Sequence, residues 1–231
     1  EKQKYAAIVL AAGSGKRMNS KVHKQYLIIQ DRPVLYYSLK EFEDSAVDEI
    51  VLVVGKGEEE FCRREIVDKY GISKVKAIVE GGKERYHSVF EGLKQTSDAD
   101  YVLIHDGARP FVNQDIIRRC MQEVQKYQAC VVGMPVKDTI KIADEEGYAK
   151  QTPDRKNVWM IQTPQTFSYA LIYEAYEEML KTEDTAITDD AMVLERIKGK
   201  KSKLIEGSYR NIKITTPEDL LIANVYLQHP E

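Results

Sequence analysis

Short apolar, β-branched runs recur along the chain, separated by stretches whose apolar residues fall three and four apart. Ala6–Leu10, Ile50–Val54, Val75–Val79, Tyr101–Ile104 and Ala129–Met134 read as strands buried on both faces, because polar residues hardly interrupt them. Pro33–Phe42, Glu59–Lys69, His87–Lys94 and Asp115–Lys126 carry the helical spacing instead. In the last of these, Ile116, Ile117, Cys120 and Val124 share one face. Alternation of strand and helix predicts an α/β fold, a doubly wound, mostly parallel sheet with helices on both sides. Sheets of this kind bind ligands beyond the C-terminal ends of their strands. The segments richest in chemistry obey that rule: Gly13–Arg17 follows the first strand, Gly81–Ser88 the third and His105–Pro110 the fourth.

The rhythm breaks between Val136 and Asn157. Lys137–Ile142 and Tyr148–Arg155 flank the acidic turn Asp144-Glu145-Glu146-Gly147, which predicts a β-hairpin. It holds too little apolar surface for a domain, so it is expected to project as an arm and pack against a partner subunit. The α/β pattern resumes with a strand at Trp159–Gln162, helices near Tyr169–Leu180 and Asp189–Ile197, and strands at Lys203–Ile205 and Asn211–Ile214. A last helix opens at Pro217, with Glu218 and Asp219 in its first turn. The expectation is one domain over residues 1–231 with an arm at about 136–157.

Composition narrows the partners. Lys plus Arg number 34 against 37 Asp plus Glu, so no polyanion-binding surface is implied and nucleic acid is not expected as a partner. No run approaches the roughly 20 apolar residues of a membrane span, and no secretory segment is evident near the start. The chain opens on Glu1 rather than Met, as expected of a trimmed start. Cys62, Cys120 and Cys130 are odd in number and lack metal-ligand spacing, which fits reduced interior thiols and a cytoplasmic setting.

Candidate chemistry begins at Ala11-Ala12-Gly13-Ser14-Gly15-Lys16-Arg17-Met18. A strand emptying into a glycine-rich, basic loop offers backbone N–H groups and cations to a triphosphate. The spelling is not a P-loop, since Arg17 follows Gly15-Lys16, and it is not a dinucleotide fingerprint, since Met18 stands where the third Gly belongs. Arg17, with Lys24 in His23-Lys24-Gln25-Tyr26, suits charge stabilisation at a phosphorus atom; the bland alternative is a solvated basic loop. In His105-Asp106-Gly107-Ala108-Arg109-Pro110, Asp106 is a candidate for holding Mg²⁺ or a polyol, and Arg109 for clamping phosphate or hydroxyls. An Asp-Gly turn closed by Pro110 explains the same letters structurally. His105 reads as a satisfied, half-buried residue rather than a metal ligand. Gly81-Gly82 lets a flat base approach the backbone, with Arg85 and Ser88 to read its edge, although a turn into a capped helix fits as well. Thr188 or Asp189 suits a helix N-cap. Lys213, in an apolar segment, demands an anionic partner.

Taken together and in order, these motifs resemble the 2-C-methyl-D-erythritol 4-phosphate cytidylyltransferase family over nearly the whole chain. The resemblance implies a Rossmann-like nucleotidyltransferase fold, a homodimer joined through the β-arm, and Mg²⁺-dependent attack of methylerythritol phosphate on the α-phosphorus of CTP. It implies that Arg17 and Lys24 stabilise the transition state. Ala11, Ala12, Gly13, Gly15, Gly82, Arg85, Ser88 and Gly107 would contact CTP. Asp106, Arg109, Thr139, Thr163 and Thr188 would hold the methylerythritol phosphate, with Arg155 and Lys213 acting at the reacting groups and Thr139 and Arg155 reaching in from a neighbouring arm. Leu10, His23 and Gly107 depart from frequent family residues, and none removes a charge the reaction needs. A ribitol 5-phosphate cytidylyltransferase is the nearest alternative; Ala11-Ala12-Gly13 and Thr188-Asp189-Asp190 point away from it. A catalytically silent nucleotide binder would not need Arg17, Lys24, Arg155 and Lys213 together.

Overall fold

The first strand shows why the sheet is covered on both faces. In β1 (Tyr5–Ala11), Tyr5, Ala7, Val9 and Ala11 enter one apolar cluster with Leu35, Leu39, Ile117 and Val124. Ala6 and Ile8 enter a second with Val89, Leu93, Ile172 and Tyr176. A strand buried on both sides has no polar face to alternate, which is why its sequence is a continuous apolar run.

The computed structural model describes residues 2–14, 18, 22–182 and 186–230. After β1 come β2 (Ile28–Ile29), β3 (Arg32–Pro33), α1 (Val34–Asp44), β4 (Glu49–Val54), α2 (Glu59–Cys62), β5 (Val75–Glu80), α3 (Arg85–Lys94), β6 (Tyr101–Asp106) and α4 (Gln114–Tyr127). The second half contributes β7 (Ala129–Pro135), β8 (Ile142–Ala143), β9 (Ala149–Gln151), β10 (Trp159–Ser168), α5 (Tyr169–Met179), α6 (Asp190–Lys198), β11 (Lys203–Glu206) and α7 (Pro217–Gln228). The main sheet has seven strands in the order β11-β7-β10-β6-β1-β4-β5. Only β10 runs antiparallel to its neighbours; the other pairings are parallel. Chain order reverses at β1, with β4 and β5 on one side and β6 on the other, so a crevice opens where β1 and β6 end. The mostly parallel sheet with helices on both faces expected from the pattern is the one observed, in the Rossmann-like form that the resemblance implied.

Several elements differ in extent, for physical reasons. β6 does not stop at Ile104: Val9 pairs with His105 and Leu10 with Asp106, so both polar residues lie in the sheet, and His105 is fully rather than half buried. The helix expected over Glu59–Lys69 is α-helical only to Cys62 and continues as a π-turn over Arg63–Asp68, still burying Ile66 and Val67. β10 is longer than expected, and its register with β7 shifts between Ile161 and Gln165. Such irregularities re-aim side chains near functional sites. The segment Asn211–Ile214 is not a strand. It crosses the strand ends, anchored by the Ile214 N–H on the Ala108 carbonyl at 2.8 Å and by the buried Asn211 side chain.

A β-hairpin forms within the segment expected as an arm. β8 and β9 pair antiparallel around a turn in which Asp144 Oδ1 accepts from the Glu146 and Tyr148 N–H groups and Gly147 takes φ +89°. Residues 141–152 are all exposed, Tyr148 at 70%. No helix among the described residues is long and apolar enough to cross a membrane. The three cysteines are free and buried.

Candidate active site

The end of β1 is tied down from below. Gln25, in a short 3₁₀ turn over Lys24–Tyr26, donates through Nε2 to the Ala11 carbonyl at 2.6 Å and the Gly13 carbonyl at 3.2 Å. The same turn is held by Glu58, whose Oε2 accepts from Tyr26 Oη at 2.7 Å and from the Gly55 N–H at 3.1 Å, while His23 Nδ1 lies 2.8 Å from Oε1. A Cβ on Gly55 would stand 2.7 Å from that carboxylate, so a larger residue there would push Glu58 aside. Ala11, Ala12, Gly13 and Lys24 all border the resulting cleft. Gly15 and Arg17 lie outside the described residues.

Opposite, Gly81 and Gly82 turn the chain from β5 into α3. A Cβ on Gly81 would stand 2.5 Å from the Ala12 Cβ and 2.4 Å from Ser88 Oγ, so the two loops approach as only Gly permits. The Gly82 N–H donates to Ser88 Oγ at 3.1 Å, and Glu84 caps α3 in a capping box with His87.

Asp106 sits where these loops meet the end of β6. Its Oδ1 accepts from Arg85 Nε at 3.1 Å and its Oδ2 from Lys213 Nζ at 3.0 Å, with Arg109 Nε 3.9 Å away. Burial alone would raise its pKa, but the Arg85, Lys213 and Arg109 charges overturn that and hold the carboxyl far below the usual range. Arg85 also grips the fully buried Asp190 with two bonds of 3.0 Å, and Tyr176 Oη donates to Asp190 Oδ1 at 2.5 Å. Although burial opposes its charge, the facing Asp190 and Asp106 keep the Arg85 guanidinium ionised. Three cations (Arg85, Arg109, Lys213) against two carboxylates (Asp106, Asp190) leave this ion-paired cluster at +1. Lys213 thus has the anionic partner its segment demanded, although its side chain is 36% exposed rather than buried.

Asp106 does not fit Mg²⁺. Both carboxylate oxygens already face cations, and a divalent ion would have to displace Arg85 or Lys213 against their repulsion. Glu84 is engaged at the helix cap and Asp189 at the Met192 N–H, and no cluster of three or more potential metal ligands occurs among the described residues.

Behind Asp106 runs a hydrogen-bonded chain. The Asp106 N–H donates to Thr163 Oγ1 at 3.0 Å, Thr163 Oγ1 meets His105 Nδ1 at 3.0 Å, and His105 Nε2 meets the Arg109 carbonyl at 3.1 Å. The carbonyl requires the proton on Nε2, so Nδ1 accepts the Thr163 hydroxyl. Burial pushes the His105 pKa down to about 4, and the imidazole is neutral. Arg109 Nη1 donates to the Asn211 carbonyl at 2.7 Å, while its Nε is buried with no hydrogen-bond partner among the described residues.

Two adjoining cavities, of about 180 and 270 Å³, meet at Arg85, Asp106 and Lys213. The first is bordered by the β1 loop, Lys24, Gly82 and Ser88. The second is bordered by Arg109, Thr163, Gln165, Thr188 and Asp189. Of the expected residues that the structure describes, Gly107, Thr139 and Arg155 border neither. The Gly107 N–H donates to the Leu10 carbonyl at 2.8 Å and its carbonyl accepts from Ser38 Oγ at 3.1 Å, so its polar groups serve the scaffold. Thr139 and Arg155 are exposed at the arm, Arg155 Nη1 donating to the Lys137 carbonyl.

The sequence drew attention to the triplets that contain Gln165, Asp190 and Asn211 but assigned those three residues no role. Gln165 Oε1 accepts from the Asp190 and Ala191 N–H groups at 3.0 and 2.9 Å and thereby fixes the start of α6. Asn211 Nδ2 donates to Gln162 Oε1 and the Thr163 carbonyl. The available signal was the run Gln162, Thr163, Gln165 and Thr166, four polar residues buried in one strand.

Comparison with known proteins places this geometry. Residues 5–229 match the family model described as 2-C-methyl-D-erythritol 4-phosphate cytidylyltransferase. A protein of that name from Lachnospira eligens is 54% identical over 224 residues, covering 96% of this chain and 98% of its own. One from Lachnoclostridium phytofermentans is 50% identical over 226 residues, covering 98% and 97%. Among solved structures, 4-diphosphocytidyl-2C-methyl-D-erythritol synthase from Anaerococcus prevotii superposes with a TM-score of 0.87 at 38% identity, covering 98% of this chain and 97% of that one.

Proposed function

Because the chain belongs to the 2-C-methyl-D-erythritol 4-phosphate cytidylyltransferase family, we propose that it transfers CMP from CTP to 2-C-methyl-D-erythritol 4-phosphate. The products are 4-diphosphocytidyl-2-C-methyl-D-erythritol and pyrophosphate, in isoprenoid precursor synthesis. The observation that carries this reading is the match of residues 5–229 to that family; the net-positive cluster at the sheet's switch point is what such a reaction needs. A phosphate oxygen of the acceptor attacks the α-phosphorus, a new P–O bond forms, and the bond to the β-phosphate oxygen breaks. Neither step calls for a protein nucleophile, so the work is positioning and charge stabilisation.

In this reading CTP lies in the first cavity, its triphosphate along Ala11–Gly13 and Gly15 and its base near Gly82 and Ser88. Arg17 and Lys24 stabilise charge growing on the α-phosphate. Arg85 acts as the brace between the two cavities, since its guanidinium is occupied by Asp106 and Asp190 rather than directed at a base. The acceptor occupies the second cavity, where Arg109 Nε is a buried donor suited to its oxygens, alongside Thr163, Thr188 and Lys213. Mg²⁺ enters as the counter-ion of the triphosphate, as part of MgCTP, with no carboxylate of the cleft assigned to it. Thr139 and Arg155, remote from the cavities of their own chain, act across a homodimer in which each arm reaches its partner. The buried free thiols accord with work in the cytoplasm.

The test is pyrophosphate release from MgCTP with 2-C-methyl-D-erythritol 4-phosphate and, separately, ribitol 5-phosphate. Release with the first alone supports the reading. Preference for ribitol phosphate, or silence with both while CTP still binds, refutes it.

A further inference from the structure

Gln25 is only 2% exposed, and its side chain engages backbone carbonyls beside the loop that would hold an anion. Both contacts are to carbonyl oxygens, so the amide nitrogen rather than the amide oxygen must face them. Its two hydrogens match its two acceptors, Ala11 O at 2.6 Å and Gly13 O at 3.2 Å.

Peptide planarity gives this contact a consequence. In a trans peptide the carbonyl of one residue and the N–H of the next point in opposite directions. Holding the Ala11 and Gly13 carbonyls toward Gln25 therefore directs the Ala12 and Ser14 N–H groups the other way. A carbonyl oxygen carries partial negative charge and repels phosphate, whereas successive N–H groups form an anion-binding concavity. Gly13, with nothing within 4 Å of a hypothetical Cβ, has no side chain to fix its own peptide orientation.

We infer that Gln25 is the positioning residue of the nucleotide loop: its carboxamide holds the Ala11 and Gly13 carbonyls back and presents the Ala12 and Ser14 N–H groups to the triphosphate. The inference rests on CTP being the nucleotide. It also explains the strength of the anchorage behind the 3₁₀ turn. The turn is closed by its own Tyr26 N–H to His23 carbonyl bond of 3.0 Å and tied to the scaffold through Tyr26 Oη on Glu58. One turn then delivers the cation Lys24 and the loop-setting amide Gln25 side by side.

The experiment compares wild type, Gln25→Met and Gln25→Glu as full chains. MgCTP binding is read by calorimetric titration, Michaelis constants for both substrates by initial rates, and folding by thermal melts. Met keeps the length and removes both donors. Its MgCTP affinity is expected to fall by about tenfold or more, with the KM for methylerythritol phosphate changed by less than about twofold. Glu places a carboxylate against two carbonyls and near the triphosphate, so at pH 8 it should bind MgCTP more weakly than Met does. As the pH falls and that carboxyl protonates, it regains a donor and the deficit relative to wild type should narrow; a residue that merely packs would show no such trend. Equal MgCTP affinity in wild type and Gln25→Met, or a loss spread evenly over both substrates, overturns the inference. A wild type that binds MgCTP without turnover refutes the transferase reading, and the binding data still decide the role of Gln25.

Discussion

Replacing Asp190 with Asn probes the brace at the centre of the site. Asp190 is wholly buried and Arg85 is 27% exposed at its side chain, with two 3.0 Å bonds joining them. Removing one partner of a buried pair costs about 3–5 kcal/mol, because the other charge is left desolvated. Arg85 retains Asp106 at 3.1 Å, and Asn still accepts from Tyr176, so the lower end applies. At about 3 kcal/mol, and about 2–4 °C per kcal/mol for a chain of this size, the melting temperature should drop by roughly 6–12 °C. Urea unfolding at pH 7.5 would measure the loss directly. The companion variant Arg85→Met should cost a similar amount, and the double variant should cost about 2 kcal/mol less than the sum of the two. A loss below about 1 kcal/mol for Asp190→Asn, or simple additivity in the double variant, would refute the brace.

Lys24→Ala should reduce kcat by roughly 10²–10³-fold with little change in the melt, as loss of one transition-state donor does; a near-normal kcat removes it from that role, and the same holds for Arg17→Ala. Arg155→Ala should raise the KM for methylerythritol phosphate more than that for CTP. Mixing Arg17→Ala with Arg155→Ala subunits should restore activity if arms act in trans, and no recovery despite proven subunit exchange counts against sharing. His105 is neutral when folded, with a pKa near 4 against 6.5 when unfolded. The unfolded chain therefore binds the extra proton between those values, and stability is full above about pH 6.5 and falls as the pH drops toward 4. By pH 5 the loss should reach about 2 kcal/mol, and urea titrations of wild type against His105→Gln should show it vanish in the variant.

Periodicity was a reliable guide wherever burial imposes it. β1, β4, β6 and β7 lie, buried, on the apolar runs that suggested them, and Ile116, Ile117, Cys120 and Val124 are all buried on one face of α4. β5 forms on its run too, but as the sheet's edge strand with only Val75 fully buried, so the expected double-sided burial does not hold there. It failed where polar groups are satisfied across the fold. His105 and Asp106 extend β6 because Val9 and Leu10 of β1 pair with them and Thr163, from a distant antiparallel strand, accepts the Asp106 N–H; no local spacing encodes that. Asn211–Ile214 has strand-like letters, but its backbone turns on itself through Ser208 and Arg210, and its longer-range bonds go to Ala108, Gln162 and Thr163, far away in sequence. The charged residues at the site were legible one by one from their place after strands. Their pairing was not, since Arg85 meets Asp190 across 105 positions and Lys213 meets Asp106 across 107.

The wall of Arg85, Asp106 and Lys213 belongs to both cavities. Two ligands that share a wall do not bind independently: whatever free energy the first spends reorienting those side chains, the second inherits. Thermodynamic reciprocity then requires that if CTP tightens the acceptor, the acceptor tightens CTP by the same factor. The same wall sets a rule for inhibitors. A single molecule spanning both cavities would meet the rearrangement once, whereas two fragments that each demand a different arrangement of the three residues would exclude one another without ever touching.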